Sequence, residues 1–216
     1  MDFIGIKKIV RISMNKNFLV LDFTRLNKNI VFKFKDKFFI NKIRTDSNNN
    51  QEIIDDILNL IKRADIKTKE KFDVLVNLGP GSFSGIRISL AVAKGIKLIK
   101  KINLFGFNSF ILNAAPYLEK YETVFSILKI NKKFYFLKYI KGKKNDISQI
   151  TEFKNKEKLN EKSVIVISND MKNEDMFKNI AEKYKIIEDF DIKNNIEILI
   201  KKNLIENNLI KPVYLG

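Results

Sequence analysis

The residues best placed to do chemistry form a glycine-rich turn, Asn77-Leu78-Gly79-Pro80-Gly81-Ser82-Phe83-Ser84-Gly85-Ile86-Arg87. A strand is predicted before this turn and a helix after it, so backbone N–H groups can converge on an anion at the helix N-terminus. The spacing matches neither a Walker A loop nor a G-x-G-x-x-G fingerprint, and Phe83 stands where a nucleophile elbow has serine. A phosphate cradle and a purely structural turn are therefore both open interpretations of Gly79–Gly85.

Histidine and cysteine are absent from the 216 residues. This excludes a Ser-His-Asp triad, a thiol nucleophile, a disulfide framework and a zinc site built from histidine or cysteine. A metal ion could be held only by oxygen ligands, and we predict no metal site.

The chain is strongly basic, with 41 Lys and Arg against 25 Asp and Glu and a formal net charge of +16. The basic residues are spread evenly, whereas acidic residues are scarce in the first 150 positions. This pattern favours a generally basic surface without a dedicated patch, which raises encounter rates with polyanions. No stretch has the length and apolar character of a membrane span, and Lys7, Lys8 and Arg11 interrupt the apolar N-terminus. We expect a cytoplasmic protein with no membrane partner.

Hydrophobic patterning predicts strands and helices in an order that occurs twice. The first half is predicted to contain strands Phe18–Phe23, Ile30–Phe34 and Phe38–Ile43, a helix Asn50–Ala64 capped by Ser47 or Asn48, a strand Asp73–Leu78, a helix Ile86–Lys101 and a strand Asn103–Phe107. The second half is predicted to contain strands Thr123–Ile130, Phe134–Ile140 and Ile147–Thr151, a helical stretch Lys154–Asn160, a strand Val164–Ser168, a helix Asn173–Lys183, a strand Lys185–Ile187 and a helix Ile192–Ile205.

The repeated βββαβα order predicts an α/β protein with tandem ribonuclease-H-like subdomains, the architecture of the actin-like ATPase superfamily. We expect the first subdomain at 14–112, a smaller second one at 113–205, and a tail, 206–216, that packs back on the first. A single mixed α/β domain with a peripheral hairpin is the alternative.

An ATPase of this fold needs acidic residues that face a magnesium-bound nucleotide. Asp22, at the end of the first strand, and Thr24 are the candidates for a residual nucleotide site, whereas Asp73 begins its strand and is expected to point elsewhere. A strand-end aspartate that accepts hydrogen bonds from turn amides is the alternative for Asp22. One well-placed carboxylate is too little for phosphoryl transfer.

The run GPGSFSGIRISLAVAKGI, residues 79–96, resembles the GPGSFTGxRxGxxxAkGla signature of the bacterial TsaB family. Residues 18–24 resemble the opening strand of that family, and Pro212-Val213-Tyr214-Leu215 resembles its closing PxYLR, with Gly216 in place of arginine. Residues 128–135 depart from the family's second-half hairpin motif and keep little beyond Tyr135. Residues 1–13 precede the family's usual start, so we expect a peripheral extension or a misplaced start codon, with Met14 as the other candidate start.

The resemblance implies a subunit of the machinery that makes threonylcarbamoyladenosine in tRNA. The family's paralogue TsaD holds a metal through histidines and transfers the threonylcarbamoyl group. This chain has no histidine, so it cannot hold a metal in that way. The resemblance therefore implies a non-catalytic scaffold that binds a TsaD-type subunit and lets a TsaE-type ATPase dock. ATP, Mg²⁺ and tRNA would belong to the complex, and a homodimer is a further candidate assembly. The rival hypothesis is an actin-like ATPase or sugar-kinase-like enzyme using Asp22 and Gly79–Gly85.

The two predicted helices of the first half are more apolar than a helix lying on one sheet requires. Neighbouring helices of the same chain, or another protein, could cover the excess. In the family these helices pair with the catalytic subunit or a second copy. The resemblance therefore predicts a partner interface that includes Ile53, Ile57, Arg87, Leu90 and Lys94.

A second-half hairpin is rich in lysines and aromatic residues, between Lys132 and Lys144. Aromatic residues among lysines can stack on unpaired bases. Alternation of buried aromatics and exposed lysines along a strand explains the same pattern, so direct contact with tRNA is the less favoured interpretation.

Overall fold

The computed structural model describes residues 14–25, 28–43, 50–65, 67, 70–143, 149–154, 160–168, 171–178, 184–187, 191–206 and 211–215. Several predictions lie outside the described residues: the extension 1–13, the N-caps Ser47 and Asn48, most of the helical stretch 154–160, and Lys144 and Gly216.

The first half forms a five-stranded mixed sheet with the order β3-β2-β1-β4-β5. Its strands are β1 Phe18–Asp22, β2 Lys28–Phe34, β3 Lys37–Ile43, β4 Asp73–Asn77 and β5 Leu104–Phe107. Strands β1, β2 and β3 are antiparallel neighbours, whereas β1, β4 and β5 run parallel. The parallel connections run through helices α1, Asn50–Arg63, and α2, Phe83–Ile99. Every residue of β1 and β4 is buried, as expected for central strands covered on both faces.

The second half forms another five-stranded sheet, with the order β10-β9-β6-β7-β8. Its strands are β6 Thr123–Ile130, β7 Lys133–Ile140, β8 Thr151–Glu152, β9 Ser163–Ser168 and β10 Tyr184–Ile187. Numbered within each half, both sheets have the same strand order, and in each the second strand is antiparallel to the first and the fourth parallel to it. The described residues therefore show a duplicated architecture.

Helices cover both faces of the first sheet and join the two halves. One face packs against α1 and α2, with Ile53, Ile57 and Ile86 in its core. The opposite face packs against α3, Ser109–Ala114, and α5, Ile192–Lys201. Helix α3 was not predicted. All six of its residues are buried, so its sequence does not alternate between apolar and polar positions with the period of a helix. It also contacts β6 and β7 of the second sheet, so it forms part of the junction between the two sheets.

The ends of several elements differ from the predictions for local reasons. Helix α2 begins at Phe83, three residues early, because Ser82 Oγ accepts a hydrogen bond from the Gly85 N–H (3.2 Å). Helix α5 ends at Lys201, since Asn203 adopts a left-handed conformation at φ 55°. Helix α4 is described over Asp175–Lys178, two residues later than predicted, and residues 179–183 of its predicted span lie outside the described residues. The third strand of the second half, β8, is shorter than predicted.

The chain returns to the first sheet near its end. Gly106 and Glu206 exchange two backbone hydrogen bonds of 2.8 Å. Further along, the Val213 N–H donates to the Leu78 carbonyl at 2.8 Å. The subdomain limits 14–112 and 113–205, with the tail assigned to the first, stay predictions.

Candidate functional site

The candidate site lies where β1 and β4 end, beside the glycine-rich turn. These parallel neighbours pair Leu21 with Val76, so the residues that follow, Asp22 and Asn77, meet at one edge of the sheet. The turn after β4 and the start of α3 complete the site. This edge is where the sequence places the candidate nucleotide residues Asp22 and Thr24.

Asp22 is fully buried, and its Oδ1 is the hydrogen-bond acceptor at the centre of the site. Oδ1 accepts from the Thr24 hydroxyl (2.6 Å), the Thr24 N–H (3.2 Å) and the Asn77 side-chain amide (3.0 Å). A carboxylate that accepts from the backbone two residues later forms an Asx turn. Asp22 thus does what the structural alternative predicted, which is to satisfy the amide of its own turn.

Asn77 connects three elements through one fully buried side chain. Its amide group donates to Asp22 and, at 3.1 Å, to Thr24 Oγ1. Its Oδ1 accepts from the Gly79 N–H (3.0 Å) and the Ser109 hydroxyl (3.2 Å). This role of Asn77 was not predicted, although an amide side chain that ends an apolar strand beside a glycine-rich turn is a usable signal for it.

Arg25 supplies the positive charge that faces Asp22. Its Nε lies 3.7 Å from Asp22 Oδ2, and its guanidinium donates a hydrogen bond to Asn113 Oδ1. Burial lowers the pKa of Arg25, and the neighbouring Asp22 carboxylate opposes that shift. The positive charge next to the Asp22 carboxylate is therefore supplied by a side chain of the same chain, Arg25. The hydrogen bond between Arg25 and Asn113 could not be predicted from the sequence, because Asn113 lies in helix α3, which was not predicted.

The glycines of the turn permit a close backbone approach to the end of β1. A Cβ added at Gly81 would lie 2.4 Å from the Thr24 carbonyl oxygen, and one added at Gly85 would lie 1.8 Å from that of Phe23. The Ser82 N–H donates to the Thr24 carbonyl at 2.9 Å. These contacts support the structural interpretation of the turn. Anion binding at its exposed residues Ser82, Phe83 and Ser84 stays a prediction.

The actin-like architecture implies a magnesium nucleotide, and the residues of this edge do not fit one. Asp22 Oδ1 already has three donors, and the cation beside Oδ2 is Arg25. Gly81 and Gly85 pack directly against Thr24 and Phe23, at the end of β1. Across the described residues, no cluster of three or more histidine, cysteine or acidic side chains could hold a metal ion.

Comparison with known protein families matches residues 44–184, more than half of the chain, to the family described as "TsaD: tRNA N6-adenosine threonylcarbamoyltransferase". The chain belongs to this family. The predicted resemblance to TsaB is also confirmed by a curated relative, the tRNA threonylcarbamoyladenosine biosynthesis protein TsaB of Buchnera aphidicola subsp. Schizaphis graminum (strain Sg). That relative is 32% identical over 82 residues, which are 38% of this chain and 39% of the relative. The aligned part thus spans well under half of the relative's length.

Two solved structures are similar over nearly the whole chain. YeaZ from Pseudomonas aeruginosa has a TM-score of 0.64 and 11% identity, covering 93% of this chain and 100% of that one. A second structure, described as an uncharacterized protein with similarity to peptidase YEAZ from Pseudomonas aeruginosa, has a TM-score of 0.65 and 11% identity over 94% and 100%. At this identity the likeness concerns the fold alone, and it confirms the predicted actin-like class.

The structure corrects the predicted interface on α1 and α2. Ile53, Ile57 and Leu90 are buried in the core between these helices and the first sheet. Because they contact their own sheet, their side chains are not available to a partner, and that part of the prediction is wrong. Arg87 and Lys94 are exposed, as the prediction requires.

Other large apolar side chains are exposed on the same helices. On α1 these are Ile54 and Leu58, which are 44% and 56% exposed, and on α2 they are Leu98 and Ile99, at 88% and 86%. The predicted excess of apolar residues on these helices is present, but the exposed residues are different from those predicted. The signal was ambiguous because the apolar arc of α1 is wider than the face that the sheet covers.

The remaining candidates lie away from this edge. Asp73, at the amino end of β4, accepts hydrogen bonds from the Asn15 N–H (2.6 Å) and from the Asn103 side chain (3.1 Å), so it points elsewhere as predicted. In the lysine-rich hairpin, Phe136 and Tyr139 are buried and Lys133 is exposed. Phe136 and Tyr139 pack in two different cores on opposite faces of β7, so the buried aromatic residues are structural but do not follow the predicted alternation. Contact with tRNA stays untested.

Within the described part of the chain, no helix combines the length and the apolar character needed to cross a membrane.

Proposed function

We propose that this protein is a non-catalytic scaffold subunit of the complex that makes threonylcarbamoyladenosine in tRNA. It binds and stabilises a TsaD-type catalytic subunit and lets a TsaE-type ATPase dock on the assembly. Membership of the threonylcarbamoyltransferase family and the curated TsaB relative support this pathway. We place this function in the cytoplasm, as the sequence analysis expects.

The observation that carries the proposal is the apolar outer surface of α1 and α2. Both helices pack on one face of the first sheet, α1 against β2 and β3 and α2 against β1, β4 and β5. Their outer surfaces expose four large aliphatic side chains, Ile54 and Leu58 on α1 and Leu98 and Ile99 on α2. Exposed apolar surface on a folded protein is typical of protein–protein interfaces.

The internal pairing at Asp22 supports a scaffold over an enzyme. A phosphoryl-transfer enzyme uses its carboxylates on Mg²⁺ and on the attacking group. Here the carboxylate of Asp22 is bound by Thr24 and Asn77 and faces Arg25. We propose that the isolated chain binds no nucleotide and that ATP, Mg²⁺ and tRNA bind at the level of the complex.

Co-purification with the TsaD-type subunit tests the proposed interface. Leu58→Asp introduces a charge at an exposed apolar position, so it should abolish the complex while leaving the thermal unfolding of the isolated chain unchanged. The control is Lys143→Asp, at an exposed turn of the second half, which should leave complex formation intact. If Leu58→Asp is retained with the partner as fully as the control, this surface is not the interface. A charge at the buried Ile57 would instead disrupt the fold, so loss of binding by such a variant would not report on the interface.

A further inference from the structure

We propose that Phe83, Arg87 and Tyr214, named here the aromatic cluster, insert into an apolar pocket bordered by carboxylates on the catalytic subunit. The inference rests on the proposed function, since it specifies the chemistry by which that partner is recognised. It adds a docking point at the N-terminal end of α2, about 24 Å along the helix from Ile99 at 1.5 Å per residue.

The aromatic cluster combines two segments that are distant in sequence. The rings of Phe83 and Tyr214 have centroids 4.9 Å apart and are tilted by 45°. The Arg87 guanidinium carbon lies 5.2 Å from the centroid of the Phe83 ring. Phe83 and Tyr214 are 56% and 49% exposed. Aromatic and arginine side chains of this kind dominate the binding energy of protein interfaces.

The neighbours of Tyr214 hold the tail in place and turn that side chain outward. The Val213 N–H donates to the Leu78 carbonyl (2.8 Å), and the Val213 side chain packs on the core beneath α1 and α2. Leu215 packs against the opposite core, so Tyr214 is exposed between two anchored residues. An aromatic side chain that is ordered before binding loses little conformational entropy on association, which favours its use as an anchor.

The charge around the aromatic cluster favours an acidic partner over a second copy of this chain. Helix α2 contains no acidic residue, and it carries Arg87, Lys94 and Lys97. Two copies meeting through this surface would oppose like charges, which is unfavourable at an interface. A pocket edged with carboxylates neutralises the same charges.

The shape of the aromatic cluster favours a protein over a nucleic acid. Single-stranded nucleic acids bind to open aromatic faces on which their bases stack. Arg87 occupies a face of the Phe83 ring, and Tyr214 is tilted against that ring. With Arg87 and Tyr214 against it, the Phe83 ring offers little open face for a stacked base, which favours burial of the aromatic cluster in a protein pocket.

Calorimetric titration of the full chain with the purified TsaD-type subunit tests this inference. Phe83→Ala, Tyr214→Ala and Arg87→Glu should each weaken binding about tenfold or more. The control is Lys120→Glu, because Lys120 forms a separate surface pair with the ring of Tyr121 at 5.8 Å, and its affinity should stay within about twofold of wild type. Thermal unfolding of each variant should match wild type, since these side chains are largely exposed.

Three results would overturn the inference, and they are distinguishable. If the three variants bind as tightly as wild type, the aromatic cluster is not a docking point, while the proposed function stands. If they bind the subunit normally but bind a tRNA transcript more weakly, the cluster is a nucleic-acid contact. If the wild-type chain itself does not bind the subunit, both the inference and the proposed function fail.

Discussion

Asp22 sits where an actin-like ATPase would need a carboxylate, yet its hydrogen bonds are made within the chain. Thr24 and Asn77 donate to one carboxylate oxygen, and the Arg25 Nε lies 3.7 Å from the other. A buried carboxylate that loses its cation is strongly destabilising, whereas removing both charges together is tolerated much better. We therefore propose a structural role for Asp22 at this site.

The Asp22–Arg25 pair can be tested by a double-mutant cycle. Arg25→Met should lower the free energy of unfolding by about 2 kcal/mol, less than for a fully buried pair because Arg25 is partly exposed. In an Asp22→Asn background the same change should have a much smaller effect, with a coupling of about 1 kcal/mol or more. Urea unfolding of the four proteins measures the cycle. Additive effects would show that Asp22 does not depend on Arg25. Stabilisation of the wild type by Mg²⁺ and ATP would show a nucleotide site and contradict the structural role of the pair.

At the scale of elements, the sequence predicts the strands and long helices well because their hydrophobic periods are clear. It predicts α3 and the buried faces of α1 and α2 poorly. The burial of α3 depends on both sheets, and which apolar residues of α1 face the sheet depends on how that helix rotates when it packs. The polar contacts of Asn77 and Arg25 likewise join residues that only the fold brings together.

Two glycines of α2 provide a matched pair for testing the turn. Gly85→Ala would place a Cβ 1.8 Å from the Phe23 carbonyl oxygen, so the turn would have to move away from β1, and we expect marked destabilisation. A Cβ at Gly95 meets no atom within 4 Å, so Gly95→Ala should stabilise the protein by up to about 1 kcal/mol through helix propensity. Thermal unfolding measures both. Equal effects of the two substitutions would contradict the close packing of the turn on β1.

At the scale of the whole molecule, two copies of one sheet order are joined by a shared core. Helices α3 and α5 pack against the first sheet, and α3 also contacts β6 and β7. The residues that these helices pack against therefore come from both halves of the chain. On the opposite face, α1 and α2 present Leu58 and Ile99 outward. One face of the first sheet thus packs against helices that join the two halves, and the helices on its other face expose apolar side chains, where we propose that the partner binds.

The most direct test of the central claim is the threonylcarbamoyladenosine content of tRNA in cells depleted of this protein and supplied with variants. Wild type and the double variant Asp22→Asn/Arg25→Met, which keeps the acceptor Oδ1 and removes both charges together, should restore the modification. Leu58→Asp, expressed to the same level, should not restore it, because the catalytic subunit would no longer be bound. Restoration by Leu58→Asp together with failure of an Asp22→Asn/Arg25→Met protein that accumulates to the wild-type level would contradict the scaffold account and favour an enzyme that uses the Asp22 carboxylate.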